Sequence, residues 1–70
     1  MNMLEPKELA ERFGYKRTYD VNVKLRNRDM QRFINGRWVP TKRALRMRDG
    51  IVCFDGRKLR WNAEMLEGIL

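Results

Sequence analysis

Seventy residues with 16 Lys and Arg against 9 Asp and Glu carry a net charge of +7, on a chain with room for a single domain, residues 1–70. The 43% of hydrophobic residues can fill a small core, but a domain of about 60 residues buries only roughly 60% of its unfolded surface, too little to house a deep enzyme site. No His and a single cysteine, Cys53, exclude the usual zinc frameworks, Ser/His and Cys/His catalysis and an intramolecular disulfide, so no enzyme activity, metal or cofactor is expected.

In chain order, Met1 to Leu4 reads as a short lead-in, a candidate strand. Pro6 suits the first position of a helix over about 6–13, with Glu8 at the place of a capping box that lacks its Ser or Thr. Leu9, Ala10 and Phe13 share one face of it and Gly14 stops it. The acids Glu5, Glu8 and Glu11 are spread around this helix and read as a solvated face. Thr18 is the expected cap of a second helix, Asp20 favours its dipole, and Val21 and Leu25 form its buried stripe. Lys24, Arg26 and Arg28 project elsewhere, and the Asn27–Asp29 stretch ends it.

Asn35-Gly36 between two apolar runs predicts a hairpin with a two-residue type I′ turn. That register sets Phe33 opposite Trp38 and Ile34 opposite Arg37, with Phe33 and Trp38 on the core face. Trp38 is expected as a core aromatic and not as a base-stacking one. Pro40 closes the strand, and Thr41 caps a third short helix from Lys42 to about Met47. Asp55-Gly56 predicts a second two-residue hairpin, pairing Phe54 with Arg57 and Val52 with Leu59. Val52, Phe54, Leu59 and Trp61 then point inward, and Cys53 and Lys58 lie across from one another on the outer side. Asn62 caps a closing helix through Met65, Leu66 and Ile69. No apolar run is long enough to span a membrane, and no signal-peptide core follows Met1.

The charge is concentrated. Residues 16–48 hold eleven cations against Asp20 and Asp29, a net of +9, while the segments on either side are each −1. Eleven of the 16 cations are arginine, the side chain suited to bidentate recognition of phosphate and guanine. Such a block points to nucleic acid or another polyanion as the partner, and the layout that follows narrows this to double-stranded DNA. Two helices joined by a tight turn and followed by a basic hairpin are the layout of a winged helix-turn-helix, packed through Leu9, Ala10, Gly14, Val21 and Leu25. The expected fold is therefore a small α+β winged helix-turn-helix-like domain with two β-hairpins and a C-terminal helix.

On that layout the second helix offers Lys16, Arg17, Thr18, Tyr19 and Asn22 at its N-terminal end, with Arg26 further along. Thr18 and Tyr19 can reach phosphates, and Arg17 and Asn22 have the chemistry to read guanine and adenine edges. Arg32 and Arg37 sit on the wing, and Lys42, Arg43 and Arg46 line one side of the third helix. Seven residues separate Gly14 from Val21, one more than the usual helix-turn-helix count.

The run Glu-Pro-Lys-Glu-Leu-Ala-Glu-Arg-Phe-Gly at 5–14, then Val21-Asn22 with Leu25, Met30-Gln31, Arg37-Trp38-Val39-Pro40-Thr41 and Leu59-Arg60-Trp61, resembles the C-terminal domain of phage antirepressor proteins. The resemblance covers about residues 4–70. It implies a winged-helix-like fold, a regulatory role in a phage or prophage, and a place in the cytoplasm of a bacterial host cell. It departs in the extra residue after Gly14 and in Asp29, where the family tends to have Gly. The N-terminal domain of longer antirepressors has no counterpart in these residues, so its activities are not carried over.

Four readings follow, the last of them non-specific RNA binding. The first is transcription control through DNA, with a homodimer as one arrangement because one such module contacts only a half-site. The second is a factor that binds a host or phage regulatory protein through an apolar patch, for which Ile34, Val39, Met47 and Ile51 are the candidates. The third is an excision-type architectural factor that bends DNA.

Overall fold

A computed structural model describes residues 3–70 of the chain, a small α+β domain; Met1 and Asn2 of the lead-in lie outside the described residues. Strand β1 (Met3–Leu4) leads into helix α1 (Pro6–Phe13). Glu5 takes the N-cap position, where its backbone N–H donates to the Glu8 carboxylate at 3.0 Å, so a glutamate replaces the usual hydroxyl residue of a capping box. Gly14 ends the helix in the left-handed conformation. Helix α2 spans Thr18–Asn27. Thr18 is its first helical residue and not its cap. Arg17 stands at the N-cap, and the first turn is held from the side by the Arg17–Asp20 ion pair at 2.9 Å.

Two hairpins follow. Strands β2 (Gln31–Ile34) and β3 (Arg37–Pro40) pair in the expected register, Phe33 with Trp38 and Ile34 with Arg37. Asn35 at φ 52° and Gly36 at φ 78° supply the two positive φ angles that a type I′ turn demands. Helix α3 (Lys42–Met47) is capped as expected by Thr41, whose Oγ1 accepts from the Ala44 N–H at 3.1 Å. The same hydroxyl donates to the Asp29 carbonyl at 2.7 Å, and the Thr41 N–H donates to the Met30 carbonyl at 3.1 Å. One residue thus ties the exit of α2 to the entry of α3.

Strands β4 (Val52–Phe54) and β5 (Leu59–Asn62) form the second hairpin, and here the expected register is off by two. Phe54 pairs with Leu59, Val52 with Trp61, and Cys53 with Arg60 in place of Lys58. The cause is Asp55, whose Oδ1 accepts from the N–H groups of both Arg57 and Lys58 at 2.8 Å, closing a four-residue turn over Asp55–Lys58. A shift of two keeps every side chain on its side of the sheet. Leu59 and Trp61 are accordingly buried, Val52 and Phe54 half-buried, and Cys53 and Arg60 exposed. β5 is the central strand of a three-stranded antiparallel sheet in the order β1-β5-β4, and β2–β3 form a separate two-stranded sheet.

The closing helix is shorter than the sequence suggests. Asn62 does cap it, its Oδ1 accepting from the Glu64 and Met65 N–H groups. Only a 3-10 turn over Glu64–Leu66 forms before Gly68 takes φ 88° and diverts the chain. The core gathers Leu9, Ala10, Val21, Leu25, Met30, Ala44, Ile51, Leu59, Trp61, Ala63 and Leu66. Ile51 is buried there and so leaves the set of candidate patch residues. Phe33 moves the other way. It is 59% exposed, because it sits beside the turn at the outer end of the β2–β3 ribbon, whose covered positions are Met30, Gln31 and Thr41 at the base and Trp38, half-buried against the core.

Candidate nucleic-acid interface

Helix α2, the β2–β3 hairpin and α3 carry the cationic block, and most of its charges reach solvent: Lys16, Arg17, Arg26, Arg32, Arg37, Lys42, Arg43 and Arg46 are all exposed. Their dispositions differ. Arg17 donates to both oxygens of Asp20, which raises its pKa further and fixes its charge, and its guanidinium lies 5.6 Å from the centre of the Tyr19 ring. Arg37 donates to the Gly56 carbonyl at 2.9 Å and so straps the first hairpin to the second. Arg43 donates to the Arg28 carbonyl at 2.9 Å, where the positive side chain meets the C-terminal end of α2. Arg32 stands 3.9 Å from Asp29. Lys16, Arg26, Lys42 and Arg46 make no side-chain hydrogen bond or ion pair among the described residues, and their charge faces solvent.

Two members of the expected set are placed differently from a reading edge. Thr18 is half-buried at the start of α2. Asn22 is only 8% exposed. Its Oδ1 accepts from Gln31 Nε2 at 2.9 Å, and its backbone carbonyl accepts from the same nitrogen at 3.2 Å. A buried carboxamide engaged in this way fastens α2 to β2 and has no edge to present to a base, so the adenine-reading role assigned to Asn22 is corrected to a structural one. Gln31 as its partner has no signal in local periodicity, because the pair spans nine residues and a change of element.

The alternation of the hairpin divides the rest between two clefts. Phe33 and Trp38, with Tyr19 and Arg26 of α2, line a cleft of about 360 Å³. Arg32, Ile34 and Val39, on the opposite face, join Asp29, Lys42 and Arg43 around a cleft of about 460 Å³. Phe33 was the residue missed by the core-face expectation. The signal that could have found it is its position next to the turn, where a two-stranded ribbon has nothing behind it. Among the described residues no group of His, Cys, Asp and Glu is arranged to hold a metal ion, and no helix is long and apolar enough to cross a membrane. Comparison with protein-family models, with curated proteins and with solved structures returns no match to this chain.

Proposed function

We propose that the protein is a small regulatory DNA-binding module of the winged helix-turn-helix kind, acting on double-stranded DNA in an antirepressor-like circuit of a phage or prophage. The observation that carries this reading is the location of the charge. A net +9 between residues 16 and 48 lies on α2, the hairpin after it and α3, the elements such a module turns toward a duplex. The packing beneath is of the right kind, with Leu9 and Ala10 of α1 and Val21 and Leu25 of α2 all buried. Asp29 also supports the resemblance. It holds φ 58°, so the glycine that the antirepressor domains tend to have there would serve the same left-handed backbone, which Asp tolerates better than most residues.

In this reading Arg17 and Tyr19, at the start of α2, approach the major groove. Lys16, Arg26, Arg32, Arg37, Lys42, Arg43 and Arg46 contact phosphates along it. A salt titration on random duplex DNA tests it. Neutralising about six or more phosphates makes affinity fall on the order of 10³-fold between roughly 50 and 200 mM salt. Lys42→Ala and Arg46→Ala are expected to weaken all sequences alike and to flatten the salt slope, whereas Arg17→Ala relaxes sequence preference. Absence of binding at the lowest salt would overturn the proposal in favour of a host or phage protein as partner. The exposure of Ile34 and Leu45, 48% and 54%, is the observation that favours that second reading.

A further inference from the structure

Single exposed hydrophobics are ordinary on a small domain, but three aromatic rings around one cleft are not. Tyr19 is 61% exposed and Phe33 59% exposed, and both open onto the same space as the half-buried Trp38. Phe33 and Trp38 meet edge to face, ring centres 5.2 Å apart and planes at 66°. Edge-to-face contact covers a face of only one of the two rings, whereas parallel stacking would occupy a face of each. The cleft, about 360 Å³, is open on its outer side, so a ligand would lie against the rings and not be enclosed by them.

Two arginines flank these rings, one of them paired with Asp20. Arg17 lies over the Tyr19 ring, and Arg26 lines the cleft about two helical turns further along α2. The Arg17–Asp20 pair is partly exposed and so screened by solvent, and a phosphate at Arg17 would compete with the two hydrogen bonds Asp20 already accepts. Open π-faces with flanking arginines match the chemistry of an unpaired base and its phosphodiester: the base stacks, and the cations track the backbone. A base within intact duplex has both faces stacked already and cannot enter. An uncharged apolar peptide could cover the rings but would leave the arginines of a +9 segment without counter-charge.

We propose that the Tyr19–Arg26–Phe33–Trp38 cleft clasps an unpaired base of single-stranded DNA, with Arg17 and Arg26 on the adjoining phosphates. The proposal rests on the DNA-binding reading and sharpens it, since it adds a preference for melted or distorted DNA over intact duplex.

Tryptophan fluorescence tests it directly, because Trp61 is fully buried and only Trp38 borders the cleft. Three probes are compared at one salt concentration: a short oligothymidine, a strand of the same length with abasic sites, and a duplex. Oligothymidine is expected to change the Trp38 emission and to bind roughly 5- to 150-fold more tightly than the abasic strand, the range that stacking of one base supplies. Phe33→Leu, which keeps an apolar side chain without a π-face, loses that advantage while duplex binding and melting temperature stay as in the parent. Phe33→Tyr restores it. Equal affinity for oligothymidine and the abasic strand overturns the proposal. Displacement of oligothymidine by an acidic peptide containing phenylalanine overturns it too, by assigning the cleft to a protein partner. If the duplex binds in the expected salt-dependent way and only the abasic comparison fails, the cleft proposal falls alone. If none of the three probes binds, the DNA-binding reading falls with it.

Discussion

Each of the two hairpins carries a tryptophan on its second strand, and the two indoles live in different worlds. Trp61 belongs to β5, which has β1 on one side and β4 on the other and packs against α1, and it is fully buried. Trp38 belongs to a two-stranded ribbon and, as expected of a core aromatic, packs against the core, though only half-buried, while its partner Phe33 is left in solvent. A lone two-stranded hairpin is marginal in water. The β2–β3 ribbon therefore depends on what holds it: at its base Gln31 bonded to Asn22 and Thr41 bonded to the Asp29 and Met30 residues, and beside its turn Arg37 reaching Gly56. The second hairpin puts its tryptophan at the centre of the core, and the first leaves its tryptophan half-buried at the core's edge with Phe33 in solvent. The same residue type is buried to a different depth according to how many strands stand beside it.

The contrast can be broken in order of effect. Trp61→Ala is expected to cost about 3–5 kcal/mol. That is a large part of the total for 70 residues at roughly 0.05–0.15 kcal/mol per residue, so urea denaturation should find the midpoint of the variant sharply lowered. Trp38→Ala, in contrast, should remain folded. Gln31→Ala removes the donor that serves both Asn22 oxygens and should lower stability by about 1–3 kcal/mol. Asn22→Ala should behave similarly in the same denaturation experiment and leave DNA sequence preference unchanged, an outcome opposite to that of a base-reading residue. Gly36→Ala strains a backbone at φ 78° while its new Cβ meets nothing within 4 Å, so its cost of about 1–2 kcal/mol is purely conformational. It should appear as a matching loss in thermal unfolding.

The smallest effect belongs to the other turn. Backbone N–H groups of Lys58 and Arg57 hold the Asp55 carboxyl below its ordinary range. Its folded value lies under the unfolded one near 3.9, so the stabilisation is complete above that value and fades as pH falls through the lower folded value. Asp55→Asn should make melting temperature less sensitive to acid over that interval, with a slight loss at neutral pH.

The sequence made local features legible wherever one residue decides them. Gly14 ends α1, Asn35-Gly36 sets the first hairpin, and Thr41 starts α3, because each acts through its own φ angle or hydroxyl. The second turn misled because Asp-Gly resembles Asn-Gly in type. Asn35 accepts a positive φ, whereas Asp55 keeps a negative one and uses its carboxylate to cap a longer loop. The candidate site was legible as charge and not as shape. The position of the arginines can be counted along the chain. That Phe33 faces water while Asn22 does not depends on which elements pack together, and residue periodicity holds no record of that.

The strand order has a consequence for behaviour at high concentration. The edges of the three-stranded sheet are β1 and β4, two and three residues long. Edges so short present few unpaired N–H and C=O groups, so a second molecule finds almost no ladder to extend. The net charge of +7 also repels its approach. Fibril-like growth from this sheet is thus opposed by geometry and by electrostatics, each acting without help from the other.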